Sequence, residues 1–248
     1  MKALILAAGY GTRLYPYTKY FPKPLLEVNK KPVIGYLLDK LEKLDGLTRV
    51  VVVTNARFYK HFLEWRKSSR LKDKIRIVND LTRSPKEKLG AIADMYLGLK
   101  KEGLDDNFLV LGGDNFLEEP LNDFFKFAQK KKPQITIGVV GVGSRREARH
   151  YGVVLLNRNK QIIDFQEKPL QPKSRLAAMC LYYFPRSKLG LVKKCIRSCR
   201  PSFDNIGTYI GWLARQERVY GFTFKKMWFD IGSIETYRKL NKLLRDKG

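Results

Sequence analysis

The residues best placed to do chemistry open the chain. "LILAAGYGTRLYPYTKYFPKPLL", Leu4 to Leu26, runs from an apolar stretch into a Gly-Tyr-Gly-Thr-Arg turn, and Lys23 follows between two prolines. A glycine-rich turn after a strand points to phosphate, because small or absent side chains let backbone N–H groups close on a polyphosphate. Ala8, Gly9, Gly11 and Thr12 supply that thin surface. Arg13 adds a planar donor fork for phosphate oxygens, and Lys23 adds a point charge. Pro16, Pro22 and Pro24 hold the segment extended and so fix where Lys23 projects. Two familiar loops are excluded. A dinucleotide fingerprint needs a third glycine opening a helix, where this chain has Leu14 and then Pro16; a Walker A loop ends in Gly-Lys-Ser/Thr, which this stretch lacks.

Two acids complete the set. "VLGGDNF" places Asp114 just beyond a buried strand, and "WFDIGS" places Asp230 between a strand and the last helix. Open α/β sheets keep their ligand crevice at such strand ends. From there the two carboxylates could share one Mg²⁺ bound to nucleotide phosphate. Taken singly, each could instead start a turn or cap a helix.

The elements that must position these groups are legible as alternation. Residues 2–6 and 49–54 are aliphatic runs without polar alternation, as strands covered on both faces should be. Between them, Pro32 opens a segment with Ile34, Leu37, Leu38, Leu41 and Leu44 at helical spacing, and Gly46 lies just past its end. Strands are predicted at 75–79, 108–112 and 134–142, with helices at 89–100 and 121–131 between them. This is a βαβ series, hence an α/β protein: a three-layer α/β/α sandwich with a Rossmann-like, mostly parallel but mixed central sheet. The second half changes character into a small β-rich subregion. Residues 151–156 and 161–166 flank the turn "NRNK" as a hairpin, followed by a strand at 176–184 and helices at 186–197 and 205–216. A strand at 219–224 precedes a last helix that Ser233 can cap, carrying Tyr237, Leu240 and Leu244. No repeat or low-complexity linker divides the 248 residues, so one domain is expected. Its nucleotide-binding half would run to about residue 133, and its sugar-phosphate half from about 134.

Bulk composition narrows the function classes. Hydrophobic residues at 44% and charged residues at 29% suit a folded soluble domain. No apolar run approaches the ~20 residues of a membrane span, and the N-terminus lacks the pattern of a signal peptide, so a cytoplasmic location is expected. Cys180, Cys195 and Cys199 are odd in number and lack CxxC pairing, which reads as thiols rather than a metal site or disulfide framework. The balance of 49 Lys+Arg against 24 Asp+Glu attracts anionic ligands. The basic residues are scattered through "KSSRLKDK", "QKKK", "SRREAR" and "RKLNKLLRDKG" without interleaved aromatics. Solvated surface charge is therefore favoured over a nucleic-acid partner.

Assembled, these motifs resemble the sugar-1-phosphate nucleotidyltransferase family, the makers of nucleotide sugars. "LAAGYGTRLYPYT…PKPLL", "GGDN" at 112–115, "YGVV" at 151–154, "EKPLQPKS" at 167–174 and "WFDIGS" at 228–233 follow the family's order along essentially the whole chain. The resemblance implies transfer of a nucleoside monophosphate from an NTP to a sugar 1-phosphate, with Mg²⁺. In that scheme Arg13 stabilises the departing pyrophosphate and Lys23 contacts the α-phosphoryl group and the incoming phosphate. Asp114 and Asp230 hold the metal, and Leu6, Ala8, Leu89 and Gly90 frame the nucleoside. Gly152, Glu167, Lys168 and Ala178 form the sugar-phosphate site. Glu167 and Lys168 occupy adjacent strand positions, so a turn or bulge is expected at Lys168-Pro169 for both to serve one site. The nucleophile is a phosphate already mostly ionised at neutral pH, so no general base is required, and His61 and His150 lie outside the motifs.

Two departures from the family pattern stand out. Cys180 stands where a glycine is common, and the base-reading stretch "VNDLTRSPKEKLGA" lacks the glutamine-proline pattern typical of the family's thymidylyltransferases, leaving Asn79 as a candidate base contact. Two alternatives remain at this point: a cytidylyltransferase for a non-sugar phosphate such as phosphocholine, and a catalytically inactive nucleotidyltransferase-like binding subunit. A homo-oligomer is left open.

Overall fold

The computed structural model describes residues 1–198 and 205–247, so Cys199 lies outside the described residues. In chain order, β1 (Lys2–Leu6) runs into the glycine-rich loop, and a short hairpin, β2 (Glu27–Val28) and β3 (Lys31–Pro32), follows it. Next come α1 (Val33–Glu42), β4 (Arg49–Thr54), α2 (Tyr59–Ser68), β5 (Ile75–Asn79), α3 (Ala91–Glu102) and β6 (Phe108–Gly112). β7 (Asn115–Leu117) and α4 (Asn122–Lys130) lead to β8 (Ile135–Gly141) and a one-turn α5 (Arg145–Ala148). The hairpin β9 (Gly152–Leu156) and β10 (Ile162–Glu167) precedes the long β11 (Leu176–Phe184). α6 (Gly190–Ser198), α7 (Ile206–Gln216), β12 (Val219–Phe224), β13 (Trp228–Asp230) and α8 (Ile234–Arg245) complete the order.

One mixed sheet runs β10-β9-β11-β6-β1-β4-β5, with β8 paired to β11 and β12 to β8. It is parallel through β5-β4-β1-β6, and β11 enters antiparallel to β6. β1 sits inside it, with Leu4 in register with Val51 on one side and Val110 on the other. Successive residues of β1 serve opposite layers. Ala3 and Ile5 join the core under α1, α2 and α4, while Leu4 joins the core under α3, α6 and α7. That double coverage is why these strands read as unbroken apolar runs. The three-layer arrangement places every parallel strand's carboxyl end along one rim.

Close approach of α3 to the sheet depends on Gly98, where a Cβ would lie 2.4 Å from Leu4 Cδ1 and 2.8 Å from Val53 Cγ2. A third, smaller core of Leu14, Leu26, Val28, Val33, Phe116, Ile231 and Leu240 lies apart from the sheet. It ties the glycine-rich loop to β7, α8 and the segment after β13.

The sequence pattern misses three features. α2 buries only Phe62 completely; its half-buried Tyr59, Leu63 and Trp65 are interrupted by Lys60, Glu64, Arg66 and Lys67, so its apolar periodicity is faint. The hairpin β2-β3 and the pair β7-β13 contain two or three residues per strand, too short to carry a pattern. The helix expected from residue 186 begins as a 3-10 turn, Arg186–Lys188, with α6 starting at Gly190. Pro32 sits just outside α1 at ψ 140°, in the capping position.

Candidate active site

The loop after β1 is held open from beneath. Ala7 N–H donates to the Val53 carbonyl at 2.8 Å, and Asn55 Nδ2 donates to the Ala8 carbonyl at 2.8 Å. Gly11 adopts φ +63°, and Thr18 Oγ1 donates to its carbonyl at 2.7 Å. A Cβ at residue 11 would meet Thr18 at 3.1 Å in a left-handed backbone, so glycine is required there on two counts. Residues 12–14 then form a single 3-10 turn that plunges Leu14 into the third core and leaves Thr12 and Arg13 exposed. The Arg13 guanidinium packs beside Gly232, where a Cβ would stand 3.6 Å from Nη2.

The loop lines a cavity of about 520 Å³ that also receives Gly90, Ala91 and Asp94 from the start of α3, and Asp114, Cys180 and Asp230 at the sheet's rim. Leu6, Ala8, Gly9, Gly11 and Thr12 all contribute to this cavity. Asn79 and Leu89 do not line it. The Asn79 side-chain oxygen accepts from Leu81 N–H at 2.8 Å, a local turn, and Leu89 is 45% exposed.

The two acids come together through β7 and β13. Gly113 N–H donates to the Leu6 carbonyl at 2.9 Å, docking the β6 tip against β1. β13 pairs antiparallel with β7, with Asp230 opposite Asn115, and Ile231 N–H donates to the Asp114 carbonyl at 3.0 Å. Residues more than a hundred positions apart thus face one space. Lys23 Nζ donates to Asp114 Oδ2 in a tight ion pair. Asn115 Nδ2 donates to Asp114 Oδ1 at 2.9 Å, and Trp228 Nε1 in turn donates to Asn115 Oδ1 at 2.8 Å. Neither Asn115 nor Trp228 is distinguished by sequence reasoning, because their role depends on that antiparallel pairing.

Electrostatics match the geometry. Burial and the negative charge of Asp114 push Asp230 up to about 6, against the pull of Lys23, Arg13 and Lys168. Burial pushes Asp114 upward too, but the Lys23 charge and its hydrogen bond outweigh it, and the carboxyl is held below its ordinary range. Two half-buried carboxylates in mutual repulsion, supported by one lysine, form a site that gains from a cation. The donor set fits a hard divalent ion such as Mg²⁺. Among the described residues no cluster of three or more His, Cys, Asp or Glu gathers, so the remaining ligands would be phosphate oxygens and water. Burial and the Asp114 charge raise the Cys180 thiol well above its ordinary value, which keeps it neutral and not nucleophilic.

The Glu167 carboxylate rests between two glycines. A Cβ at Gly152 would lie 3.2 Å from Oε2, and one at Gly207 only 2.0 Å away. Oε2 is buried without a hydrogen-bond partner among the described residues, and burial raises its pKa against the pull of Lys168. Lys168 takes φ +44° just after β10 ends, which is the turn its sequence position requires. Its charge acts on both Glu167 and Asp230. Ala178 pairs with Val139 in the sheet and packs at the edge of the α3-side core, lining neither the 520 Å³ cavity nor the neighbouring one of about 710 Å³ that holds Arg13 and Tyr151. Gly207, in the first turn of α7, carries no sequence signal.

A second buried acid pair also escapes sequence reading. Tyr10 OH pairs with Thr82 Oγ1 at 2.9 Å, and Thr82 donates to Asp80 Oδ1 from both its N–H, at 2.7 Å, and its hydroxyl, at 2.8 Å. Asp80 shares a further side-chain hydrogen bond with Asp94, which burial and the Asp80 charge raise to about 8.

A glycine-rich loop, a lysine-paired aspartate and a second aspartate at one sheet rim match a known assembly. The family model for nucleotidyl transferases covers residues 2–247. The chain belongs to that family. Its relatives are sugar-1-phosphate nucleotidyltransferases. It is 29% identical over 248 residues to the bifunctional protein GlmU of Methanocaldococcus jannaschii, covering 100% of this chain and 55% of that one. It is 31% identical over 241 residues to the mannose-1-phosphate guanylyltransferase catalytic subunit beta of Danio rerio, covering 96% of this chain and 62% of that one. The chain thus spans a little over half the length of these relatives. A UDP-glucose pyrophosphorylase complexed with UDP-glucose shares the fold at a TM-score of 0.83 and 23% identity, covering 100% of this chain and 99% of that one. Among the described residues no helix is long and apolar enough to cross a membrane.

Proposed function

We propose that this nucleotidyl transferase is an active enzyme that moves a nucleoside monophosphate from an NTP to a sugar 1-phosphate and releases pyrophosphate. The observation that carries this reading is the convergence of Asp230 and the Lys23-paired Asp114 on the cavity walled by the glycine-rich loop. An inactive binding subunit would have no use for a half-buried, repelling acid pair. The relatives' names, a guanylyltransferase acting on mannose 1-phosphate among them, favour the same chemistry.

In this reading the loop N–H groups receive the triphosphate, with Arg13 beside its outer phosphates. Mg²⁺ held by Asp114 and Asp230 would neutralise phosphate charge during transfer. Lys23 exchanges its carboxylate partner for phosphate oxygens as the substrates arrive, so its charge is already in place. The sugar phosphate approaches from the side of Gly152, Glu167 and Lys168, where the buried Glu167 oxygen accepts from a sugar hydroxyl. An oxygen of that phosphate bonds to the α-phosphorus in line as the bond to the β-phosphate oxygen breaks. The nucleophile needs no proton removed, because a phosphate monoester is mostly ionised above its second pKa of ~6. Residues to about 133 serve the nucleotide and those from about 134 serve the sugar phosphate, apart from Asp230, which serves both.

A pyrophosphate-release matrix tests this: each NTP against several sugar 1-phosphates and phosphocholine, with Mg²⁺. Release with at least one sugar 1-phosphate is expected, and silence across the matrix from folded protein would overturn the proposal. Turnover with phosphocholine alone would replace the sugar. Asp114→Asn should lower turnover at least a hundredfold, about 2.7 kcal/mol of barrier, while leaving the circular dichroism spectrum unchanged.

A further inference from the structure

The end of the cavity at α3 holds polar groups that the transfer chemistry does not use. α3 begins at Ala91 with no side-chain cap, and its first helical hydrogen bond is Asp94 N–H to the Gly90 carbonyl. The N–H groups of its first turn are thus without intrahelical partners. Gly90 and Ala91 line the cavity, and so does Asp94, one turn further along the same face. Asp94 is only 6% exposed, and its Oδ1 has no hydrogen-bond partner among the described residues. Its other oxygen is engaged with Asp80, whose Oδ1 is committed to Thr82. The Thr82–Tyr10 contact ties this network back to the glycine-rich loop. A buried acceptor left unmet destabilises the fold, and a bound donor recovers that loss.

The two features present a donor and an acceptor side by side. We infer that this end of the cleft reads a keto nucleobase, a ring carbonyl beside a ring N–H as in guanine, uracil or thymine, with Asp94 accepting from the ring N–H and the first-turn N–H groups of α3 donating to the carbonyl. Adenine and cytosine present the opposite order, an amino group beside a bare ring nitrogen. With the Asp94 proton spent on Asp80, that ring nitrogen would face the lone pairs of Oδ1. Leu6 and Ala8 supply the thin apolar wall against which a flat ring can lie. Asp94 is thereby a specificity residue for the nucleotide, and the inference rests on the nucleotide reading of this cavity.

Inosine triphosphate and ATP differ only at the edge in question, as UTP and CTP do at theirs. Equilibrium binding of these four with Mg²⁺ should favour ITP over ATP and UTP over CTP by about tenfold or more. Asp94→Ala should erase both preferences, mainly by weakening the keto nucleotides. Asp94→Asn should retain them, because its amide donates to Asp80 while its carbonyl still faces the base. Equal or inverted preference in the unaltered protein overturns this inference and leaves the proposed function standing. Failure of all four to bind overturns both. The comparison in the unaltered protein decides the question even if Asp94→Ala does not fold.

Discussion

Replacing Trp228 by phenylalanine probes a chain of contacts that only the folded protein contains. The indole N–H is the donor to Asn115 Oδ1, and Asn115, 6% exposed, uses its amide to hold Asp114 Oδ1. Phenylalanine preserves an aromatic ring against Tyr151, whose centroid lies 5.2 Å from that of Trp228, and removes only the donor and part of the ring volume. The unmet Asn115 oxygen costs about 1–3 kcal/mol, and the missing volume about 1 kcal/mol more. A loss of about 2–4 kcal/mol in urea unfolding follows. The second effect is on the metal site proposed at Asp114 and Asp230. Asp114 keeps Lys23 but loses a fixed amide, and removing such an outer partner typically costs 10- to 100-fold in metal affinity or activity. Pyrophosphate release titrated with Mg²⁺ should therefore show a half-saturation shifted upward by roughly tenfold, with much of the rate recovered at high Mg²⁺. Adding Asn115→Ala should change little beyond what that substitution does alone, because residues in one network are not additive. An unshifted Mg²⁺ titration, or strictly additive losses, would refute the idea that Trp228 acts through Asn115.

Two further outcomes follow from the geometry. Gly207→Ala puts a methyl group within 2.0 Å of the present Glu167 Oε2 position, so KM for the sugar phosphate should rise about tenfold or more while KM for the NTP holds. Its stability should not fall, since alanine in a helix is favoured over glycine by up to about 1 kcal/mol, and a parallel loss of stability would point to misfolding instead. Asp94 supplies a pH dependence. Its carboxyl titrates near 8 in the fold and near 3.9 in an unfolded chain, so between those values the folded protein holds a proton the unfolded one has released. The contribution is fully present below about pH 4 and is lost as pH rises through 8. Asp94→Asn, always neutral, should therefore gain stability relative to the unaltered protein as pH rises from 5 to 8; a constant difference would show that Asp94 does not hold its proton.

What the sequence determines by itself is the part of this protein written in local pattern. Unbroken aliphatic runs such as Arg49–Thr54 encode a sheet covered on both faces, because burial on two sides leaves no place for polar alternation. The loop from Ala8 to Arg13 is legible because a backbone built for close approach to a ligand demands small residues in succession, whatever lies around them. Asp114 and Asp230 are visible as strand-end acids, yet nothing local says that they meet. That meeting depends on β7 pairing with β13, strands of three residues each, and on a docking bond from Gly113 to Leu6. The same holds for the end of the cleft at α3. Asn79 looks suitable in sequence but spends its oxygen on Leu81, whereas Asp80 turns inward to Thr82 and Asp94. Asn79 ends β5 and Asp80 lies in the loop just beyond it, so the choice between these neighbours was made by the packing of α3 and that loop. Gly207 gains its meaning only from the carboxylate of Glu167 lying against it. Spacing along the chain specifies chemistry within a turn or a strand; long-range pairing decides which of those groups share a space.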